Sequence, residues 1–256
     1  MADIIKKDPQ TSSGITLNKG KLRSTASGFQ ARVKKSQAET VDPATMPNRI
    51  TLMLDKSGSM NDYEKDSKRR IDLLKDAIEN FVGRCNLNDT SVAIETFPPS
   101  IAVPLTSNRT ILTSASYGLS ASGNTPMRNC VESCLNKIPM TRGVIVSDGA
   151  ATDWHVYDKY DYMREEGMGS ADEILAKYKE AGIPIDCVHI SLGTSGEELL
   201  RRIAATTGGI FIKFTDVSAF AQAFGYLAPG FRAMLTDGRV SASDLGAREL
   251  DARANS

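Results

Sequence analysis

Residues 50–60 have the sequence ITLMLDKSGSM. The apolar run from Ile50 to Leu54 predicts a buried strand, and it ends in Asp55-Lys56-Ser57-Gly58-Ser59. This D-x-S-x-S pattern places one carboxylate and two hydroxyls in a loop where a parallel strand passes into a helix. Oxygen ligands spaced this closely suit a small divalent cation such as magnesium. The pattern alone is unspecific, because Asp, Ser and Gly are ordinary turn residues, and its meaning depends on ligands from elsewhere in the chain.

Apolar strands alternate with helical segments after this stretch. Strands are predicted near 91–97, 101–105, 143–148, 183–190 and 210–214, and helices at 62–84, 110–117, 126–138, 172–181, 197–205 and 217–227. Strands that are apolar throughout indicate a parallel sheet covered on both faces. The short connection at Pro98-Pro99 requires an antiparallel pair, and Pro104 fits only an edge strand. We therefore expect an α/β, Rossmann-like, doubly wound fold with a mostly parallel six-stranded sheet and one antiparallel edge strand.

The two ends of the chain differ in composition from the middle. Residues 1–47 are predicted to be a polar, mildly basic arm or tail, with eight basic and four acidic residues in the first 46. Two interpretations are open for it: a flexible tail, or a docking arm whose segment Gly14–Gly20 adds a strand to another sheet. Residues 48–235 are expected to form the main domain. Residues 236–256 are expected to be a C-terminal tail or a partner-seeking helix.

Charge, hydropathy and cysteine spacing exclude several functional classes. The 256 residues contain 31 basic and 31 acidic side chains, so the net charge does not indicate a nucleic-acid or anionic-membrane partner. No apolar run approaches the length of a membrane span, and no export signal is evident. A cytoplasmic location is the expectation. The four cysteines lack paired C-x-x-C spacing and are expected to be free, buried thiols.

The ends of two strands suggest where a binding site would form. Ligands of open α/β sheets bind beyond the carboxyl ends of the strands, where the helix direction switches. Asp55 ends one strand, Asp148 ends the strand expected beside it, and Thr125 lies in a loop that can reach the same crevice. The chain therefore predicts a Mg²⁺ site, with Mn²⁺ or Ca²⁺ as alternatives, formed by five oxygen donors: Asp55, Ser57, Ser59, Thr125 and Asp148. The alternative is a decayed site that serves only as scaffold.

These motifs resemble those of the von Willebrand factor A (VWA) domain, over about residues 48–227. The segments DKSGS (55–59), GNTP (123–126) and VSDG (146–149) match its metal-ion-dependent adhesion site without substitution. The resemblance is to the bacterial or phage cytoplasmic type, and Gly14–Gly20 resembles the opening of tellurite-resistance-type stress proteins. It implies that the serines and the threonine contact magnesium directly while one or both aspartates act through water. It also implies that a carboxylate from a protein partner, such as an AAA+ ATPase of the MoxR kind or a stress-system component, fills a further position.

Residues 150–170 form a long connection that begins directly at this crevice. It contains the single tryptophan of the chain and three tyrosines, and clustered Trp and Tyr are typical of protein interfaces. A helical extension whose aromatics pack on the flank of the sheet is an equal alternative. The candidate partner-binding residues are Trp154, Tyr157, Tyr160 and Tyr162.

Three functions are compatible with these features. The favoured one is a magnesium-dependent protein-protein interaction module, an adaptor that binds an acidic residue of its partner. The first alternative is a structural subunit of a larger assembly held through its N- and C-terminal tails. The second is a metal-assisted hydrolase with His155 as base. Catalysis is disfavoured, because no Ser or Cys nucleophile pairs with a predicted base and no phosphate-binding glycine motif is present.

Overall fold

A single sheet is the centre of the structure, a computed structural model that describes residues 41–63, 68–149, 151–154, 171–190, 196–214 and 217–251. Within these residues the sheet has seven strands in the order β3-β2-β1-β4-β5-β6-β7. The strands are β1 (Asn48–Asp55), β2 (Thr90–Phe97), β3 (Ala102–Thr106), β4 (Arg142–Ser147), β5 (Ile185–Ile190), β6 (Phe211–Phe214) and β7 (Glu249–Asp251).

Helices cover both faces of this sheet. Across the described ranges they are α1 (Arg70–Arg84), α2 (Arg109–Tyr117), α3 (Met127–Lys137), α4 (Ala171–Glu180), α5 (Glu197–Thr207), α6 (Val217–Phe224) and α7 (Pro229–Thr236). Strand β1 serves two cores, because its side chains alternate between the faces. Leu52 and Leu54 pack in a cluster with residues of α1 and α6, whereas Met53 packs in a second cluster with residues of α3, α4 and α5. Within the described ranges, each helix is too short or too polar to cross a lipid bilayer.

The strand order contains a switch point between β1 and β4. From β1 the chain moves outward through β2 to β3, and from β4 it moves outward in the other direction through β5 and β6 to β7. Strands β2, β1, β4, β5 and β6 are mutually parallel, whereas β3 and β7 pair antiparallel at the two edges. This confirms the predicted doubly wound, mostly parallel α/β fold with Pro104 in an edge strand. All four cysteines are free and buried, as predicted.

The C-terminal segment corrects the expectation of six strands followed by a tail. Residues 237–251 fold back onto the domain and end in β7, which pairs with β6. Val240 and Leu245 are buried in the first core, and Arg201 of α5 donates to Glu249 Oε2 at 2.7 Å. The pairing of β7 with β6, the apolar side chains of Val240 and Leu245 and the Arg201–Glu249 ion pair therefore hold a segment whose overall composition is that of a tail.

The start of α1 is also later than predicted. Tyr63 and Arg69 form an antiparallel backbone bridge, and Arg69 has an extended backbone with ψ of 147°, so the helix begins at Arg70 instead of Asp62. Near the predicted N-terminal boundary, Met46 is buried and the Ser91 hydroxyl donates to the carbonyl of Pro43 at 2.7 Å. Residues 43–46 thus pack on the domain, and residues 1–40 of the predicted arm lie outside the described residues.

Candidate metal centre

The candidate site lies at the switch point, at the carboxyl ends of β1 and β4. The two strands are parallel neighbours, with Leu54 opposite Val146. Asp55 ends β1 and Asp148 directly follows β4, so both carboxylates emerge at the same edge of the sheet. The predicted adjacency of these two strands is therefore confirmed.

Asp55 is the deepest member of the group and has no exposed surface. The backbone N–H of Ser57 donates to its Oδ1 at 2.7 Å, and the hydroxyl of Ser147 donates to its Oδ2 at 2.6 Å. Burial raises the pKa of Asp55 from its ordinary 3.8 to about 6; the hydrogen bonds from Ser147 and Ser57 oppose this shift, and the charge of Asp148 adds a smaller increase. A nearby cation would compensate the loss of solvation that raises this pKa.

Two serine hydroxyls connect this buried carboxylate to Asp148. Ser57 and Ser59 place their Oγ atoms 3.1 Å apart, and the Ser59 hydroxyl donates to Asp148 Oδ1 at 2.9 Å. Ser57 and Asp148 are buried, whereas Ser59 is exposed. The loop after β1 therefore brings its two hydroxyls into line with the carboxylate that follows β4.

Thr125 reaches the same place through the backbone of its loop. Gly58 N–H donates to the Gly123 carbonyl at 2.9 Å, and Ser122 N–H donates to the Lys56 carbonyl at 2.7 Å. Gly123 adopts φ of +82°, a conformation that only glycine adopts readily, and a Cβ there would lie 3.0 Å from the ring of Pro98. The loop before α3 is thus fixed against the loop after β1, and Thr125 is buried at this edge.

Arg70 is a member of the site that the sequence did not single out. Its Nη1 donates to Asp148 Oδ2 at 2.7 Å, and also contacts the Ser59 carbonyl and Asp62 Oδ2 at 3.3 Å each. The side chain of Asp148 is 0% exposed and that of Arg70 only 15%. The available signal was positional: a cationic side chain at the start of the helix that follows β1 lies at the same edge of the sheet as the metal-site loops.

Ser147 was also missed, and the strand register explains its role. Because Leu54 pairs with Val146, the next residues along both strands, Asp55 and Ser147, are neighbours. A serine at that position can donate to Asp55 Oδ2, while Oδ1 accepts from the backbone N–H of Ser57. A buried carboxylate oxygen without a hydrogen bond is costly. Ser147 therefore fixes the orientation of Asp55.

The donor set fits a magnesium ion in chemistry and spacing. All five predicted residues offer oxygen, and Mg²⁺ holds oxygens at about 2.1 Å in octahedral geometry, so neighbouring ligand oxygens lie about 3 Å apart. The Ser57–Ser59 and Ser59–Asp148 oxygen distances, 3.1 Å and 2.9 Å, are those of hydrogen bonds and are also compatible with that spacing. The formal charges of Asp55, Asp148 and Arg70 sum to −1, so the group retains an affinity for cations.

The described residues that follow the site, 151–154, are packed against the domain and do not form the predicted partner surface. Trp154 is 3% exposed and packs in the second core, so it is not available as an exposed interface residue. Its packing agrees with the alternative interpretation, in which the aromatics of this segment pack on the sheet. Asp153 accepts hydrogen bonds from the backbone N–H groups of Arg128 and Asn129, both at 3.0 Å, and so caps the N-terminus of α3. Tyr157, Tyr160, Tyr162 and His155 lie outside the described residues.

Comparison with known proteins identifies the fold. No protein-family model and no curated sequence matches the chain. Among solved structures, it is similar to the SpRpn10 VWA domain, with 12% identity and a TM-score of 0.52 over 71% of this chain and 95% of that one. It is also similar to the vWF domain of the type V pili tip protein Mfa5 from Porphyromonas gingivalis, with 13% identity and a TM-score of 0.51 over 73% and 96%.

A third similar structure is proximal thread matrix protein 1 from the mussel byssus, with 16% identity and a TM-score of 0.52. The match covers 69% of this chain but only 43% of the mussel protein. At these identities the comparisons establish the fold alone. The chain has the fold of a von Willebrand factor A domain.

Proposed function

We propose that the chain is a magnesium-dependent protein-binding module that captures an acidic residue of a partner. The observation that carries the proposal is the continuous row of oxygens from Ser57 through Ser59 to Asp148, above the buried Asp55 at the switch point of the sheet. Thr125 adds the fifth donor. In this proposal the five side chains hold the cation, and the carboxylate of the partner completes its ligands.

The charges of the site support an anionic partner group. Asp55 and Asp148 together balance one divalent cation, and the three hydroxyls add no charge. With Arg70 beside them, these groups and a bound divalent ion would sum to one net positive charge. The Asp62 carboxylate lies 3.3 Å from Arg70, but its exposure to solvent screens its charge. A carboxylate is then a more favourable ligand than a neutral group. Mg²⁺ is the ion we would test first, with Mn²⁺ and Ca²⁺ as the alternatives.

Proteins of this fold support an interaction role more than a catalytic one. The fold occurs in a pili tip protein from Porphyromonas gingivalis and in the pilus adhesin SpaC from Lactobacillus rhamnosus GG, which has 15% identity and a TM-score of 0.52. An AAA+ ATPase or a stress-system component is the partner class we would test first. The tyrosines at 157, 160 and 162 stay candidates for the partner surface.

The alternative of an assembly held through both tails is weakened at one end. Residues 237–251 are folded onto the sheet, so they are not available as a free tail. The N-terminal arm can be tested by deleting residues 1–40 while keeping Met46, which is part of the core. Loss of assembly with intact magnesium binding would favour the structural-subunit function.

The decisive experiment pairs magnesium titration with partner capture. We expect calorimetry to detect Mg²⁺ binding to the wild type and capture from source-cell extract to require Mg²⁺ and to be reversed by EDTA. Asp55→Asn, which preserves side-chain shape, should abolish both. Asp62→Asn is the matched control, since Asp62 is a nearby carboxylate with a 65% exposed side chain, and it should retain both. Capture that survives EDTA and Asp55→Asn would exclude docking through the metal.

A further inference from the structure

The ion pair between Arg70 and Asp148 places a protein cation directly on the candidate metal site. The Nη1 atom of Arg70 lies 2.7 Å from Asp148 Oδ2, and Asp148 Oδ1 accepts from Ser59. Both carboxylate oxygens are therefore engaged by the protein itself. One of the two negative charges that would attract a divalent ion is neutralised in advance.

This pair differs from an ordinary surface ion pair. The Arg70 side chain is 15% exposed against a fully buried carboxylate, and its Nη1 contacts oxygens of three residues. The preceding arginine provides the contrast: Arg69, just before α1, pairs with Asp72 of α1, and both of these side chains are more than one third exposed. Solvent screens the Arg69 pair strongly and the Arg70 pair weakly.

A divalent ion and Arg70 compete for the same carboxylate. An ion held among Ser57, Ser59 and Asp148 would bring two positive charges close to a guanidinium in a poorly solvated place, where like charges repel strongly. Either the guanidinium leaves Asp148 Oδ2 or it shares the carboxylate at an energetic cost. In both cases the interaction with Arg70 makes the binding free energy of the ion less favourable.

We propose that Arg70 is a resident cation that holds Asp148 in the metal-free protein and lowers the affinity of the site for Mg²⁺. The inference rests on the proposed function, because it concerns the same site. It implies two linked effects. Arg70 stabilises the metal-free fold by pairing a buried carboxylate, and Mg²⁺ takes over that role when it binds.

The test compares Arg70→Gln with Arg69→Gln, the same substitution one residue earlier on a pair outside the site. Calorimetry with MgCl₂ alone should show that Arg70→Gln binds Mg²⁺ about tenfold tighter than the wild type, because one repelling charge is gone. Arg69→Gln should bind within about twofold of the wild type, because its charge is screened by solvent. Arg70→Lys keeps a charge but loses the planar fork, and should show a smaller gain in affinity.

Thermal unfolding supplies a second readout. In EDTA, Arg70→Gln should unfold at a lower temperature than the wild type, since Asp148 is buried without its partner. Saturating Mg²⁺ should raise its unfolding temperature by more than it raises that of the wild type. A variant that folds only with Mg²⁺ present would also support the inference, and if Arg70→Gln folds under neither condition, Arg70→Lys decides by its affinity.

The outcomes separate this inference from the proposed function. If wild type and Arg70→Gln bind Mg²⁺ equally, or the variant binds more weakly, the inference is overturned and the proposed function stands. If neither binds Mg²⁺, both are overturned. If Arg70→Gln alone binds Mg²⁺, the inference is supported in its strongest form, with Arg70 replacing the ion in the wild type, and the proposed function is overturned.

Discussion

Two buried aspartates in this domain, Asp148 and Asp186, belong to clusters of opposite net charge. Asp148 follows β4 at the carboxyl edge of the sheet, and one guanidinium and one hydroxyl contact it. Asp186 lies at the other end of the sheet, in β5, and its two oxygens accept from Arg142 at 3.1 Å and from Arg232 at 2.8 and 3.0 Å. The backbone N–H of Ile210 adds a further bond at 2.9 Å. Both aspartate side chains are 0% exposed.

The difference lies in the balance of charge around each group. Two guanidiniums surround the one carboxylate of Asp186, which gives a net charge of +1, whereas Asp55, Asp148 and Arg70 sum to −1. Burial lowers the pKa of Arg142, and the Asp186 carboxylate opposes that shift. The excess positive charge borders a cavity of about 290 Å³ that both arginines line. The Asp186 cluster is therefore complete without a cation and ties β4, β5 and α7 together, whereas the Asp148 cluster is still short of positive charge.

The largest effect is expected from Asp186→Asn. This change leaves the buried guanidinium of Arg142 and the half-buried one of Arg232 without their counter-charge, and breaking a buried ion pair costs about 3 kcal/mol or more. Urea unfolding should show this loss equally in EDTA and in Mg²⁺. Asp237→Asn is the control, because Asp237 pairs with Arg239 where both side chains are more than half exposed, and it should leave stability unchanged. A loss that Mg²⁺ repaired would contradict the assignment of Asp186 as purely structural.

The sequence predicts the fold well because the central strands carry their own signal. Continuous apolar runs bounded by turn residues indicate buried parallel strands, and β1, β2 and β4 are found within a few residues of their predicted positions. Strand β7 has only three residues and its neighbours are mostly polar. Its pairing depends on Val240, Leu245 and the Arg201–Glu249 pair, contacts that come together only in the folded chain.

In the candidate site, too, some residues could be predicted from the sequence and others could not. Asp55, Ser57, Ser59 and Asp148 were predicted from loop motifs at strand ends, and the structure links them. Arg70 could not be distinguished from the charged residues before it, because the predicted helix began eight residues too early. The backbone bridge of Tyr63 with Arg69 delays the start of the helix, and this local pairing leaves no periodic pattern in the sequence. Bound metal and partner capture stay predictions.

The second-largest expected effect is the stabilisation of the fold by bound Mg²⁺, which should depend on Asp148 and not on Asp186. A ligand that binds only the folded state at a concentration 100 times its Kd stabilises it by about 2.7 kcal/mol. We expect this gain for the wild type and none for Asp148→Asn, measured by urea unfolding with and without MgCl₂. Asp186→Asn should show the full gain from its lower baseline, because its defect lies at the other end of the sheet. A magnesium gain retained by Asp148→Asn would place the ion elsewhere.

The smallest effect on stability, and the sharpest on mechanism, is expected from Ser59→Ala. Ser59 is exposed, and one hydroxyl contributes about 1 kcal/mol or less to folding, so unfolding should change little. Mg²⁺ affinity should fall by about tenfold, the equivalent of one lost polar contact of about 1.4 kcal/mol. Ser122→Ala is the matched control, because its hydroxyl accepts from Lys56 Nζ at 3.1 Å in the adjoining loop without joining the oxygen row. If both substitutions weakened Mg²⁺ binding equally, the loss would be explained by a less well-ordered pair of loops. Direct coordination of the ion by Ser59 would then not be needed to explain the binding. An effect confined to Ser59 would identify its oxygen as a ligand.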